Sequence, residues 1–131
     1  MYRKLLVTPL IGAALAIPTV IYAQNDEWRQ KMEDAQEAKD DLMGAVKDKS
    51  GPKAAEATAK ISKILQESKA FWAEQKMDDI VKTADDSIAA ANDMTRIAAS
   101  GKMDTAKAAF DKINVSCSAC HDLHPEDRLT K

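Results

Sequence analysis

Aromatic residues are scarce in this chain, and strand patterns are missing from it. Phenylalanine, tryptophan and tyrosine together make up 5% of the 131 residues. β-Branched residues are also few, and no alternation of polar and apolar residues lasts beyond four positions, as a half-buried strand would require. The sequence therefore argues against a β-sheet fold. A core with so few rings has to be built from alanine and aliphatic side chains.

Neither sign of charge dominates the sequence. The chain has 19 basic and 21 acidic residues, and two of the basic ones, Arg3 and Lys4, precede residue 24. From residue 24 onward, 17 basic residues therefore stand against 21 acidic ones, a formal charge of −4. Mild acidity with interspersed signs provides no electrostatic basis for binding nucleic acid, so we expect no such partner.

Residues 1–23 have the composition of a leader for export. A short basic stretch is followed by an apolar segment over 5–21 and then by the small residue Ala23. This order is typical of a secretory signal peptide. We expect cleavage after Ala23, which leaves residues 24–131 as one domain with no membrane contact. Retention as a membrane anchor is the alternative, because the apolar segment is nearly long enough to span a bilayer.

Four segments of the remaining chain show helical periodicity. Apolar residues recur at three- and four-residue spacing over roughly 26–48, 52–75, 78–99 and 104–121. Asp26 is a candidate N-cap for the first segment, and Gly51-Pro52 and Gly101 mark breaks between segments. Lys39 interrupts the first apolar stripe, which indicates a partly exposed seam. Four amphipathic helices with short connections predict an all-α fold, an antiparallel up-down-up-down four-helix bundle.

Both cysteines of the chain lie in one motif near its C-terminus, Cys117-Ser118-Ala119-Cys120-His121. A C-x-x-C pair followed directly by histidine is the pattern for covalent attachment of haem. Residues i and i+3 share one face of a helix, so both thiols can reach the vinyl groups of one macrocycle. The motif predicts one covalent haem c per chain on the last helix. Cys117 and Cys120 would be the attachment sites, and His121 the proximal iron ligand.

Three other interpretations of this motif were weighed. A structural zinc needs four ligands, and Cys117, Cys120, His121 and His124 would place all of them at one helix end. A thioredoxin-type dithiol expects a βαβ context, and a plain disulfide would leave His121 without a role. Export favours haem, since in bacteria the attachment takes place outside the cytoplasm. We expect His124 to be a solvated surface histidine.

The sequence resembles the class II cytochromes c, the cytochrome c-prime family. The similarity is most specific in Ala98-Ala99-Ser100-Gly101-Lys102-Met103-Asp104 and in Ser116-Cys117-Ser118-Ala119-Cys120-His121-Asp122. The first three helices agree with the family in length and pattern. The resemblance implies a distal residue from helix one, frequent dimers, and basic residues after the motif that pair with the haem propionates, for which Arg128 is the candidate here.

The topology narrows the choice of a sixth iron ligand. In an up-down-up-down bundle, the starts of helices one and three lie level with the ends of helices two and four. Met32 and Met77 are therefore near His121, whereas Met43 is ~16 Å beyond Met32 at 1.5 Å per residue. Because the family takes its distal residue from helix one, Met32 is the preferred ligand. Met77, or a vacant sixth position with Met32 in the core, is the alternative.

The few aromatic side chains fall near the same end of the bundle. We expect Phe71, Trp72 and Trp28 to pack against the porphyrin, with capping of the bundle as the alternative for Trp28. No acid–base pair, nucleophile–base set or dinucleotide-binding loop is recognisable, so an enzyme is not expected.

These observations predict a periplasmic electron-transfer cytochrome of a bacterium. Its metal-binding centre would be the haem iron, which His121 and Met32 would bind. The alternative is a five-coordinate, high-spin haem protein that binds nitric oxide or carbon monoxide. A haem module of a membrane-bound respiratory complex is a third possibility if the leader stays attached. A charge near −4 and two propionates suggest a redox partner with a basic docking surface. A homodimer is a further expectation from the resemblance.

Overall fold

The computed structural model describes the backbone of residues 17–123 and the side chains of residues 26–123. The described chain contains four α-helices and no strand, which confirms the predicted all-α fold. The helices are α1 (Ile17–Lys47), α2 (Gly51–Glu74), α3 (Asp78–Ser100) and α4 (Ala106–Leu123), and the 3-10 turn Met103–Thr105 precedes α4. Among these helices, none combines the length and the apolar character that crossing a membrane requires.

The first helix begins earlier than the sequence predicted. Its backbone is already helical at Ile17, so Asp26 lies inside α1 and is not its N-cap. The carboxylate of Asp26 instead pairs with Arg29 one turn later, at 3.6 Å. The helix runs through the predicted cleavage point because nothing near it breaks helical geometry. Residues 1–16 of the predicted leader, and the side chains of residues 17–25, lie outside the described part of the structure, so cleavage after Ala23 stays a prediction.

The other helix ends agree with the sequence. Ser50 caps α2, since its Oγ accepts a hydrogen bond from the Lys53 amide at 3.4 Å, and Pro52 occupies the first turn. Gly101 ends α3 in the left-handed conformation, with φ 71°, as expected for a C-terminal glycine. The connections hold two further left-handed residues, Lys49 and Lys76, with φ 53° and 58°. These caps and tight turns reverse the chain at each connection.

The short connections decide which helices pack together. α1 packs on α2, α2 on α3 and α3 on α4, whereas α1 and α4 touch only sparsely. The core surrounds Leu42, Met94 and Ile113 and is otherwise rich in alanine: Ala38, Ala45, Ala54, Ala57, Ala90, Ala98, Ala106 and Ala109. Small residues let the helices approach closely in that half of the bundle. The seam between α1 and α4 stays open towards the C-terminal end of α4.

A close approach of α2 to α3 at Gly51 provides a stability prediction. A Cβ atom on Gly51 would lie 2.8 Å from the carbonyl oxygen of Ala98, and a backbone atom cannot easily move away. We expect Gly51→Ala to lower the free energy of unfolding by about 1–3 kcal/mol, the usual cost of overpacking. Denaturant unfolding of the purified protein, followed by circular dichroism, measures this difference.

Gly44 provides the matched control for that substitution. It lies inside α1, and no other group comes within 4 Å of the position its Cβ would take. Gly44→Ala should therefore raise the free energy of unfolding by about 0.4–1 kcal/mol, because alanine restricts the unfolded chain. Equal effects of the two substitutions would show that Gly51 is not a packing constraint.

Candidate functional site

A groove of about 390 Å³ opens between α1 and α4 and reaches all four helices. Its volume is in the range of small-molecule and cofactor sites. The α4 wall is formed by Ile113, Cys117, Ser118, Cys120, His121 and Asp122. The α1 wall is formed by Met32, Ala35, Gln36 and Lys39, and the floor by Ile61, Ile64, Leu65 and Ser68 of α2 with Ala84 and Ser87 of α3. We call this cavity the α1/α4 groove.

The structure brings the three residues of the C-x-x-C-H motif together on the α4 wall. Cys117 and Cys120 lie one helical turn apart, both partly buried and not joined by a disulfide. His121 follows on the same helix, is exposed and also lines the groove. The helix continues to Leu123, so the motif is held in regular geometry. Two thiols and an imidazole therefore face one cavity from one rigid element.

The thiol of Cys117 has an altered acidity. Burial raises its pKa, because the groove disfavours the charged thiolate, and the positive charge of Lys39 opposes part of that rise. The net direction is upward, so the thiol stays protonated at neutral pH. Cys117 is therefore a neutral thiol at the inner end of the motif.

Met32 lies on the wall opposite the motif, and the other candidate methionines do not line the groove. Met32 is half-buried on α1. Met43 and Met77 are 38% and 36% exposed, and Met94 and Met103 are buried in the core. Of these methionines, only Met32 therefore shares a cavity with the motif. The helix-level argument from the sequence agrees with this placement.

The aromatic residues expected at the haem instead pack on one another. The rings of Trp28 and Phe71 are 4.8 Å apart, those of Phe71 and Trp72 are 5.0 Å apart, and the Lys31 ammonium lies 5.5 Å from the Trp28 ring. None of the three aromatic residues lines the α1/α4 groove. Trp28 lies one helical turn before Met32 on α1, and Phe71 and Trp72 lie one helical turn after Ser68 on α2. The three rings therefore pack at the end of the bundle next to these two groove residues. A contact between them and a bound porphyrin stays a prediction.

The groove has the chemistry that a covalently bound macrocycle requires. Its floor offers the apolar side chains of Ile61, Leu65 and Ala84, and the small Ala84 leaves space in the middle of the bundle. The cysteine pair has the spacing for two thioether bonds. Within residues 26–123, no group of three or more His, Cys, Asp or Glu side chains is placed to hold a metal ion by itself. His124 and Arg128 lie outside the described residues.

Six polar side chains that line the groove were not predicted as site residues: Gln36, Lys39, Ser68, Ser87, Ser118 and Asp122. Lys39 was recognised only as an interruption of the apolar stripe, and Ser68 and Ser87 were not singled out. The Ser87 hydroxyl donates to the Thr83 carbonyl at 3.0 Å, so it is satisfied within its own helix. The interrupted stripe was the available signal for Lys39. No pattern within α3 distinguishes Ser87 from a core serine.

Comparison with known proteins points to one family. Residues 63–124 match the sequence model of the family described as Cytochrome C'. The chain is also similar to cytochrome c' of Allochromatium vinosum, with 35% identity over 50 residues, which is 38% of this chain and 32% of the relative. The chain thus aligns with about a third of the length of that curated relative. No solved structure matches the chain significantly.

The matched region starts in α2 and includes all of α3 and α4 with the C-x-x-C-H motif. The family match, the named relative and the four-helix fold agree with one another. Residues 63–124 are therefore similar to the cytochrome c' family, whose members bind covalent haem c.

Proposed function

We propose that this chain is a monohaem electron-transfer cytochrome rather than an enzyme. Haem c would be joined to Cys117 and Cys120, with His121 as the proximal and Met32 as the distal iron ligand. The observation that carries the proposal is that Met32 and His121 line opposite walls of one groove. A thioether opposite an imidazole favours reduced iron and a higher reduction potential.

Each part of the groove has a separate task in this proposal. When bound, the haem iron supplies a centre that takes up and releases one electron. α4 holds the attachment thiols and the imidazole on one rigid helix, which limits reorganisation between redox states. Ile61, Leu65 and Ile113 exclude water from the interior of the bundle. The sparse contact between α1 and α4 leaves one edge of the groove near solvent, where electrons can enter.

A periplasmic location belongs to the same proposal. The leader over residues 1–23 would direct export, and covalent haem attachment outside the cytoplasm would follow. The functional domain would then comprise residues 24–131. The mass of the protein purified from a bacterial periplasm tests both points. A chain that keeps its leader and sediments with membranes would contradict them.

The distribution of charge supports a basic redox partner. Residues 26–41 of α1 hold seven acidic side chains, all exposed, and three basic ones. Their net charge of −4 equals that of the whole chain from residue 24 onward. This acidic face borders the groove, so a partner with a basic surface would be steered to the exposed edge.

Ionic strength tests this steering. We expect the rate of electron transfer with a basic partner to fall as salt is added, because screening weakens attraction between exposed charges. A rate that rises with salt would contradict a basic partner. Sedimentation at the same salt concentrations shows whether α1 instead pairs with a second copy of the chain.

Binding of nitric oxide or carbon monoxide is the second candidate function. It is favoured by Ala35, whose small side chain leaves room on the α1 wall next to Met32. If Met32 were only a packing residue, the sixth iron position would be open to such a gas. Methionine in this place instead favours a filled sixth position and electron transfer.

The visible spectrum of the mature protein decides between these functions. A sharp reduced α band that carbon monoxide leaves unchanged would support a His/Met electron carrier. A broad high-spin spectrum that shifts at once with carbon monoxide would make the chain a gas-binding protein. The absence of haem absorbance in protein produced with a haem-attachment system would contradict both functions.

A further inference from the structure

Lys39 places a positive charge on the wall of an otherwise mainly uncharged groove. It is half-buried on α1, two turns after Met32, and it is the one cationic side chain among the described groove residues. A lysine in such a position can lay its aliphatic stem along apolar surface while its ammonium stays near solvent. Lys39 therefore belongs to the lining of the cavity and is not fully exposed on the outer face of the bundle.

The described residues offer Lys39 no counter-ion. Lys31, on the same helix, pairs with Glu67 at 2.5 Å and with Glu27 at 3.6 Å. No carboxylate of residues 26–123 lies within 4 Å of the Lys39 ammonium, and its sequence neighbour Asp40 accepts a hydrogen bond from Gln36 at 3.0 Å. Asp122 lines the groove from α4 without forming an ion pair with it. Within the described part of the chain, no side chain therefore neutralises the charge of Lys39 through an ion pair.

The field of this charge crosses the groove. Lys39 belongs to α1 and Cys117 to α4, yet the lysine acts on the cysteine thiol and counteracts the effect of burial on its pKa. Any group that occupies the space between the two walls is exposed to the same field. The apolar floor strengthens such an interaction, since charges are screened less there than in bulk water.

We propose that Lys39 acts as a fixed positive charge in the α1/α4 groove and thereby raises the reduction potential of the haem bound there. This inference rests on the proposed function. Reduction adds one electron to the bound group and lowers its charge by one. A fixed cation stabilises the state with the extra electron, so it shifts the equilibrium towards reduction. No proton or further reactant is needed.

The test compares Lys39→Gln with Lys47→Gln in the haem-loaded protein. Lys47 lies on the same helix, is exposed and does not line the groove, so the two substitutions remove equal charge at different places. We expect a lower midpoint potential for Lys39→Gln, and a shift that largely persists at high salt. The smaller shift for Lys47→Gln should vanish as salt is added. Lys39→Arg, which keeps the charge, should retain the wild-type potential.

Equal midpoint potentials for Lys39→Gln and Lys47→Gln at both salt concentrations would overturn the proposal. So would an equal fall in potential for Lys39→Arg and Lys39→Gln, because that result would assign the effect to packing. Unchanged visible spectra show that the iron ligands are the same in each variant. If Lys39→Gln does not load haem, Lys39→Met keeps the apolar stem and provides the same comparison. A wild-type chain that binds no haem would instead overturn the proposed function itself.

Discussion

Replacing Met32 by leucine is expected to open the sixth iron position and to turn an electron carrier into a gas-binding protein. Leucine preserves the volume and apolar character of the groove wall but provides no sulfur ligand. If Met32 fills the site in ~99% of molecules, its removal should raise the apparent affinity for carbon monoxide about 100-fold. The reduction potential should fall as well, because thioether ligation favours reduced iron. Carbon monoxide titration and a potentiometric titration measure the two effects.

Met43→Leu is the control for this experiment. It is the same substitution on the same helix, at a position that is 38% exposed and does not line the groove. We expect it to leave both the carbon monoxide affinity and the spectrum unchanged. If Met32→Leu behaved like Met43→Leu, Met32 would be a packing residue. The gas-binding alternative would then be preferred if the wild-type protein already bound carbon monoxide.

Loss of both thiols is expected to abolish covalent haem attachment. In the variant Cys117→Ser/Cys120→Ser, no sulfur remains to form a thioether bond, so any haem would be held only by His121, Met32 and packing. All of it should be extracted from the denatured protein by acidified organic solvent, whereas the wild-type protein should release none. The denatured protein's mass should fall by the mass of one haem.

The single variants refine this experiment. Cys117→Ser and Cys120→Ser should each retain one thioether bond, and the serine hydroxyl does not replace the missing one. Ser118→Ala, between the two cysteines on the same wall of the groove, is the control and should retain covalent haem in full. Haem that remains covalently bound in the double variant would contradict the assignment of Cys117 and Cys120 as attachment sites.

Local spacing was sufficient to predict most of the helical structure. Apolar periodicity indicated four helices, and Pro52 and Gly101 marked a start and an end that the structure confirms. The prediction failed at Asp26, where a residue type suited to an N-cap lies inside a longer helix. A capping residue acts only where the backbone before it leaves helical geometry, and the identity of that residue does not establish whether this happens.

The aromatic residues show a second limit of the sequence. The sequence predicted that Trp28, Phe71 and Trp72 lie near one end of the bundle, since helix lengths and antiparallel order determine their position along its axis. The position of each ring along the bundle axis does not determine which side chains the ring contacts. The structure packs the three rings on one another, outside the lining of the groove. The rotation of α1 and α2 about their own axes decides whether each ring points into the groove or towards the other rings.

The sequence by itself determined that four helices follow one another and that the C-x-x-C-H motif lies on the last of them, because these features depend on residues within a few turns of one another. Only the tertiary structure decided that α1 and α4 leave a seam open and that Met32 faces His121 across it. It also decided that Lys39 stands on the groove wall with no counter-ion among residues 26–123. These features depend on packing between the first and last helices, which are far apart in the chain, and no local pattern encodes how closely two such helices approach.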